Sequence, residues 1–266
     1  MIKPKKSLGQ NFLIDNNILN KILKLTNINN QNIVEIGPGT GNLTKKILEE
    51  KPKNLILIEK DQLLSDHLIN ELKKYNNIKF FSDDVLKFDL EKNIKKNSII
   101  IGNLPYNISS QILLKLIKFK KWMPKYKMLI LMFQKEVADK ILAKYKTPDY
   151  GRLGIVASAR LKITNYFNVS PNSFYPIPKV NSTVLVFEPI KNKNFKIKKI
   201  ENLEKVSHIF FSRKRKMINK AFSILFKNPL NIAKEININL KLRPNELTKE
   251  EYYKITEYFE NQTQLN

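Results

Sequence analysis

The chain contains no cysteine among its 266 residues. Disulfide bonds, thiolate metal sites and cysteine nucleophiles are thereby excluded. Histidine occurs only at His67 and His208, far apart and without a ligand-spaced partner, so no metal site and no histidine acid–base pair is expected. No stretch approaches ~20 uncharged apolar residues, so no membrane-spanning helix is expected. The basic opening leads into Gln10-Asn11 rather than an apolar signal core, and the expected location is the cytoplasm. Acidic residues are also scarce: 24 Asp and Glu face 48 Lys and Arg, leaving a formal net charge of +24. Apolar residues still make up 42%, which supports a packed core and argues against general disorder.

A positive surplus of this size attracts polyanions, nucleic acid first among them. Only five of the 48 cations are arginine: Arg152, Arg160, Arg213, Arg215 and Arg243. A drift towards the A/T-rich codons shared by Lys, Asn and Ile would raise the lysine count without selection for binding. Arginine placement is therefore the better guide, because a guanidinium grips phosphate through two parallel hydrogen bonds and an ammonium cannot. Two of the five arginines fall in Ser212-Arg-Lys-Arg-Lys216, read as part of a helix, although a solvated helix face would have the same composition.

Hydrophobic periodicity predicts helices over 16–30, 44–50 and 63–74. Continuous apolar runs at 55–59, 98–103 and 128–133 have the pattern of strands covered on both faces of a parallel sheet, and shorter strands are expected at 32–36 and 78–81. Strands alternating with helices imply right-handed crossovers and a doubly wound α/β sheet. Residues 160–168 and 183–187 are strand-like but separated by Pro171, Pro176 and Pro178, which predicts an antiparallel edge. A polar, basic connector from Lys191 marks a boundary between an α/β domain over 1–190 and a helical, RNA-binding domain over 191–266, with helices at 201–227 and 246–260.

In open α/β sheets ligands sit beyond the carboxyl ends of the strands. Glu35, Glu59, Asp84 and Asn103 fall at four successive strand ends. The turn Gly37-Pro-Gly-Thr-Gly41 allows backbone to approach a ligand closely. It is neither the dinucleotide G-x-G-x-x-G fingerprint nor a Walker lysine loop. Glu59 can accept hydrogen bonds from both hydroxyls of a ribose, and Asp84 from an exocyclic adenine amine. Together they describe a pocket for a nucleoside without a phosphate, which suits S-adenosylmethionine better than NAD.

Asn103-Leu-Pro-Tyr106 directly follows the fourth strand. Pro105 restricts Leu104 to extended backbone, so the carbonyls of this segment are held at fixed angles. The Asn103 side-chain oxygen and the Leu104 carbonyl form a pair of acceptors able to grip an exocyclic NH2. An aromatic amine is a poor nucleophile because its lone pair is delocalised into the ring. Drawing its hydrogens towards a tetrahedral arrangement localises that pair on nitrogen, and no strong base is needed. Tyr106 supplies a face on which an extruded base can stack, worth about 1–3 kcal/mol.

These segments resemble the ribosomal RNA adenine N6-dimethyltransferase family. The resemblance is carried by Lys6-Ser-Leu-Gly-Gln-Asn-Phe-Leu13, Val34-Glu-Ile-Gly-Pro-Gly-Thr-Gly41, Ile58-Glu-Lys-Asp61 and Asp83-Asp-Val85. It continues through Gly102-Asn-Leu-Pro-Tyr-Asn-Ile-Ser109, Phe133-Gln-Lys-Glu-Val137, Tyr150-Gly-Arg-Leu153 and Phe174-Tyr-Pro-Ile-Pro-Lys-Val-Asn181. Phe211-Ser-Arg-Lys-Arg-Lys-Met217 is similar to the family as well, while most of 190–266 is only loosely so. The opening motif and the Phe174 motif are closest to the branch that acts on small-subunit RNA.

The resemblance implies a Rossmann-like class I methyltransferase domain, with a mostly parallel seven-stranded sheet and an antiparallel edge, plus a small all-α domain. It implies S-adenosylmethionine as methyl donor and no metal. Asn11 and Leu13 would help close the cofactor site, Gly37 and Gly39 line it, Glu59 hold the ribose and Asp84 the adenine. Asn103 would lie between cofactor and target base, with Leu104, Tyr106 and Phe174 beside that base. The implied partner is 16S ribosomal RNA in the 30S subunit or its precursor, where two adjacent adenosines of a hairpin loop near the 3′ end are dimethylated. A monomer is expected, since no heptad seam is present. The alternatives are a 23S RNA methyltransferase and a non-catalytic RNA-binding assembly factor on the same fold.

Overall fold

Strand positions filled with Ile and Leu on both faces can be satisfied only by covering layers on each side, and the sheet is built that way. A computed structural model describes residues 4–5, 9–191 and 195–262; Lys6, Ser7 and Leu8 of the opening motif and 192–194 of the basic connector lie outside the described residues. In chain order the elements are β1 (Phe12–Leu13), α1 (Asn16–Leu23), β2 (Asn32–Ile36), α2 (Asn42–Glu49), β3 (Asn54–Glu59), α3 (Gln62–Leu72), β4 (Ile78–Ser82), α4 (Leu90–Asn93) and β5 (Ser98–Asn103). They continue with α5 (Ser109–Ile117), β6 (Tyr126–Gln134), α6 (Lys135–Leu142), α7 (Arg152–Ser158), β7 (Leu161–Val169), β8 (Phe174–Tyr175) and β9 (Ser182–Pro189). The last four helices are α8 (Ile200–Phe211), α9 (Asn219–Leu225), α10 (Pro229–Glu235) and α11 (Lys249–Gln262).

Seven strands form one sheet in the order β4-β3-β2-β5-β6-β9-β7. The pairs β3–β4, β2–β3, β2–β5 and β5–β6 are parallel, and β9 runs antiparallel to β6 with Leu131 opposite Leu185. The strand order reverses between β2 and β5, which opens a crevice at their carboxyl ends. Leu55, Leu57, Ile99 and Leu129 are fully buried along these strands. A separate ribbon pairs β1 with β8, placing Phe12 opposite Tyr175 and Leu13 opposite Phe174.

The chain forms two compact units, residues 1–138 with 162–189, and 139–161 with 190–266. The first holds both sheets, and the second is built of helices around Phe210, Phe222 and Tyr252. Pro189 and Ile190 mark the point where the chain leaves the first unit for the last time, but 139–161 also groups with the second unit. There Gly154 lies so close to Lys140 that an added Cβ would come within 2.8 Å of its carbonyl oxygen. Among the described residues no helix is long and apolar enough to cross a membrane.

Two helix expectations change. The predicted 16–30 helix ends at Leu23, because the Asn27 side chain accepts the Asn29 N–H and Asn30 turns left-handed (φ 54°), a local hydrogen-bonding alternative to helix. The predicted 201–227 helix is two helices, and Ser212-Arg-Lys-Arg-Lys216 is the exposed turn between α8 and α9 rather than part of either. No apolar side chain after Phe211 is buried until Ile218, so nothing there draws a helical face onto the core. Helices α4 to α7, α10, which is opened by Pro229, and the β1–β8 ribbon were not read from the sequence.

Candidate active site at the switch point

The turn after β2 carries the sequence's densest glycine cluster because its backbone is bent hard and crowded. Gly39 takes φ +59°, and a Cβ on it would stand 2.9 Å from the Phe12 ring. Gly41, which begins α2 at φ +80°, would bring a Cβ to 2.5 Å from Leu68 Cδ2. Only glycine meets both demands. The Gly37 N–H donates to the Ile58 carbonyl (2.9 Å) and the Gly39 N–H to Glu59 Oε2 (3.1 Å), so the turn is fastened to the end of β3.

Glu59 also accepts the Asp61 N–H on Oε1 (2.9 Å) and is 8% exposed. Burial pushes its carboxyl above the usual carboxylate range, while the main-chain N–H groups pull it back. Asp84, beyond β4, is held in the opposite direction. Lys60 Nζ lies 2.9 Å from its Oδ2 and lowers its pKa, outweighing burial, and the Leu86 N–H on Oδ1 adds to this. Glu35 is buried beside them with its Oε2 taking the Thr44 hydroxyl (2.7 Å), and burial raises it to about 8.

Asn103 ends β5. Its Nδ2 donates to the Asn11 carbonyl at 2.8 Å, which turns the amide so that Oδ1 is its acceptor on the other side. Leu13 is held similarly, its carbonyl accepting from Asn42 Nδ2 at 2.8 Å. Tyr106 is half-buried, and its hydroxyl meets that of Ser182 at 2.6 Å. Burial raises the Tyr106 pKa, with Ser182 partly offsetting it, so the phenol stays protonated at neutral pH.

A cleft of about 1090 Å³, including solvent at its mouth, brings these groups together: Asn11, Leu13, Gly37, Gly39, Glu59, Asp84, Asn103, Leu104 and Tyr106 all line it. Phe174 does not. Its ring is 1% exposed and packed in the same hydrophobic cluster as Leu13. Pairing of β1 with β8 turns Phe174 inwards and leaves the next residue, Tyr175, 51% exposed, as strand alternation requires. Phe174 stands opposite Leu13 in the β1–β8 ribbon. Sequence reasoning missed Lys60, Asn42 and Ser182. Lys60 could have been found from its place directly after Glu59, whereas Ser182 lies 76 residues from Tyr106 and gives no local signal.

Chemically, the cleft offers carboxylate acceptors at two strand ends, a close-approach glycine turn, and an oriented amide oxygen beside a phenol ring. Hydroxyls and exocyclic amines fit this donor-hungry lining. Among the described residues no three His, Asp or Glu side chains cluster as a metal site. A seven-stranded sheet of this order with such a cleft at its switch point defines a Rossmann-like class I methyltransferase.

The particular family follows from comparison with known proteins. The chain belongs to the ribosomal RNA adenine dimethylase family, whose profile matches residues 1–261. It is 44% identical over 266 residues to the ribosomal RNA small subunit methyltransferase A of Pelagibacter ubique, covering 98% of each chain. Its fold is similar to that of a dimethyladenosine transferase from Plasmodium falciparum, with TM-score 0.79, 28% identity, and coverage of 95% of this chain and 98% of that one. A 23S rRNA methyltransferase, ErmE, shares the fold alone, with TM-score 0.68, 20% identity, and coverage of 94% and 100%.

Proposed function

We propose that the protein transfers methyl groups from S-adenosylmethionine to N6 of two adjacent adenosines in a hairpin loop near the 3′ end of 16S ribosomal RNA. The substrate is the 30S subunit or its precursor, and the reaction belongs to small-subunit assembly. The observation that carries this reading is the Asn103 amide, turned by Asn11 within the cleft that Glu59 and Asp84 line. The small-subunit name of the Pelagibacter relative, over nearly the whole chain, supports 16S over 23S RNA.

When bound, S-adenosylmethionine supplies a methyl group already activated by its sulfonium. The chain's own residues then have four tasks. Glu59 accepts from the ribose hydroxyls while its remaining bonds keep the glycine turn in place. Asp84, kept ionised by Lys60, accepts from the adenine amine of the donor. Asn103 Oδ1 and the Leu104 carbonyl accept the two N6 hydrogens of the target and localise its lone pair. Tyr106, steadied by Ser182, stacks on the extruded base. The displaced proton leaves to solvent. Asn11, Leu13, Gly37 and Gly39 shape the walls.

The C-terminal part of the helical unit, with its basic Arg213–Lys216 turn, is read as the RNA-binding part of a cytoplasmic monomer. The test is incubation of labelled S-adenosylmethionine with unmethylated 30S and 50S particles, followed by nucleoside analysis. Label recovered as N6,N6-dimethyladenosine from 30S particles is expected. Label from 50S particles alone would assign the protein to 23S RNA, and RNA binding with no label would make it a non-catalytic factor.

A further inference from the structure

Asp61 is one of the most buried carboxylates in the molecule, at 3% exposed, yet it lies outside the cleft lining. Its carboxylate accepts three hydrogen bonds and its N–H donates another. Oδ1 accepts from Lys5 Nζ (2.9 Å) and from the Leu63 N–H (3.1 Å), Oδ2 accepts from Gln10 Nε2 (3.0 Å), and the Asp61 N–H donates to Glu59 Oε1 (2.9 Å). The Lys5 N–H closes a ring by donating to Gln10 Oε1 (2.7 Å). Capping α3 needs only the Leu63 bond, so the two bonds to the N-terminal segment are additional.

What lies beyond Gln10 gives those bonds their meaning. Asn11 holds the Asn103 amide, Phe12 covers Gly39, and Leu13 is fixed by Asn42. Gly39 in turn donates to the same Glu59 carboxylate that Asp61 holds from the other side. Asp61 thus stands at the junction of two walls of the cleft, the N-terminal segment and the β3 end. A buried carboxylate needs partners, and here both side-chain partners come from one segment.

We infer that Asp61 is a positioning residue: through Lys5 and Gln10 it seats the 9–13 wall, and through its N–H it sets Glu59, so that together they fix the affinity for the methyl donor. The inference rests on the donor-binding reading of the cleft given above. Asp61 touches neither reacting group, so its effect falls first on binding, with a smaller part on chemistry through the Asn11 carbonyl that turns Asn103.

Asp61→Asn keeps a good helix cap and removes the charge that Lys5 faces. Lys5→Met removes the same pair from the other side, at a lysine whose side chain is 45% exposed and whose loss leaves the core intact. Calorimetric titration with S-adenosylhomocysteine is expected to show affinity reduced roughly 3- to 10-fold in each variant, the size of one part-exposed charge-assisted hydrogen bond. Lys5→Arg should retain wild-type affinity. The double variant should lose no more than Asp61→Asn alone, since one interaction is removed twice. In turnover the donor KM rises by the same factor while kcat stays within about threefold. Wild-type affinity in both single variants, or additive losses in the double, overturns the role of Asp61. Failure of the wild-type protein to bind S-adenosylhomocysteine overturns instead the reading of the cleft on which it rests.

Discussion

At the scale of single residues, the cleft separates its carboxylates by environment rather than by type. Asp84 gains a lysine and is held down, while Glu35 and Glu59 are buried and pushed up. Glu35 carries the clearest consequence. Its folded pKa of about 8 exceeds the unfolded 4.5, so the native state binds the extra proton and stability falls as pH rises from about 4.5 to about 8. Glu35→Gln keeps an acceptor for Thr44 and abolishes that titration. Its urea midpoint should match the wild type near pH 4.5 and exceed it increasingly up to pH 8. A constant difference across that range would mean Glu35 is ionised in the fold. Glu59 and Asn103 were legible in the sequence because each closes an apolar run, whereas Glu35 lies inside β2 with Ile36 after it and Asp84 two residues past β4. The orientation of Phe174 was not, because resemblance transfers a residue's identity but not the pairing, Leu13 with Phe174, that turns its ring inwards. The Tyr106–Ser182 hydrogen bond was equally hidden, since it depends on β9 lying beside β6.

At the scale of elements, the β2–turn–α2 unit is where local sequence and tertiary packing agree most closely. Gly39 faces Phe12 and Gly41 faces Leu68, so the turn is specified both by backbone angle and by what packs on it. Gly39→Ala forces a left-handed alanine, at a cost of about 1–2 kcal/mol, and displaces the Phe12 ring. Lower chemical-denaturation stability together with weaker S-adenosylhomocysteine binding is expected. Unchanged binding would show that Phe12 does not form a wall of the donor site. Buried strands β3, β5 and β6 were readable from uninterrupted apolar runs, since nothing competes with that pattern. Helix ends were less so. Asn27 and Asn30 stop α1 through side-chain and left-handed turns, while Leu25 and Ile28 keep the apolar spacing going past its true end. The two-residue ribbon of β1 and β8 is too short to leave any periodicity.

At the scale of the whole molecule, a charge of +24 explains attraction to RNA but not where RNA binds. The exposed turn Arg213-Lys-Arg-Lys216 in the helical unit concentrates two of the five arginines. Replacing Arg213 and Arg215 with Gln should weaken RNA binding and flatten its salt dependence, the logarithmic slope falling by about one for each phosphate that an arginine no longer neutralises. Donor binding should not change. Filter binding across a salt series reads this directly, and an unaltered slope would place the RNA-binding surface elsewhere. The α/β architecture was evident from the order of segments. The grouping of 139–161 with the helical unit was not, because only contacts between residues far apart in sequence decide it, such as the Ser158–Tyr253 hydroxyl pair and the Tyr150 ring against Phe211.

Methyl transfer by Asn103→Ala, assayed beside RNA and donor binding by the same variant, goes most directly to the centre of this account. If the amide oxygen grips the target amine, transfer to 30S particles should fall by about 100-fold or more while both affinities stay within a few-fold of wild type. Transfer persisting near the wild-type rate, or lost only in step with binding, would show that the chemistry is carried by some other group.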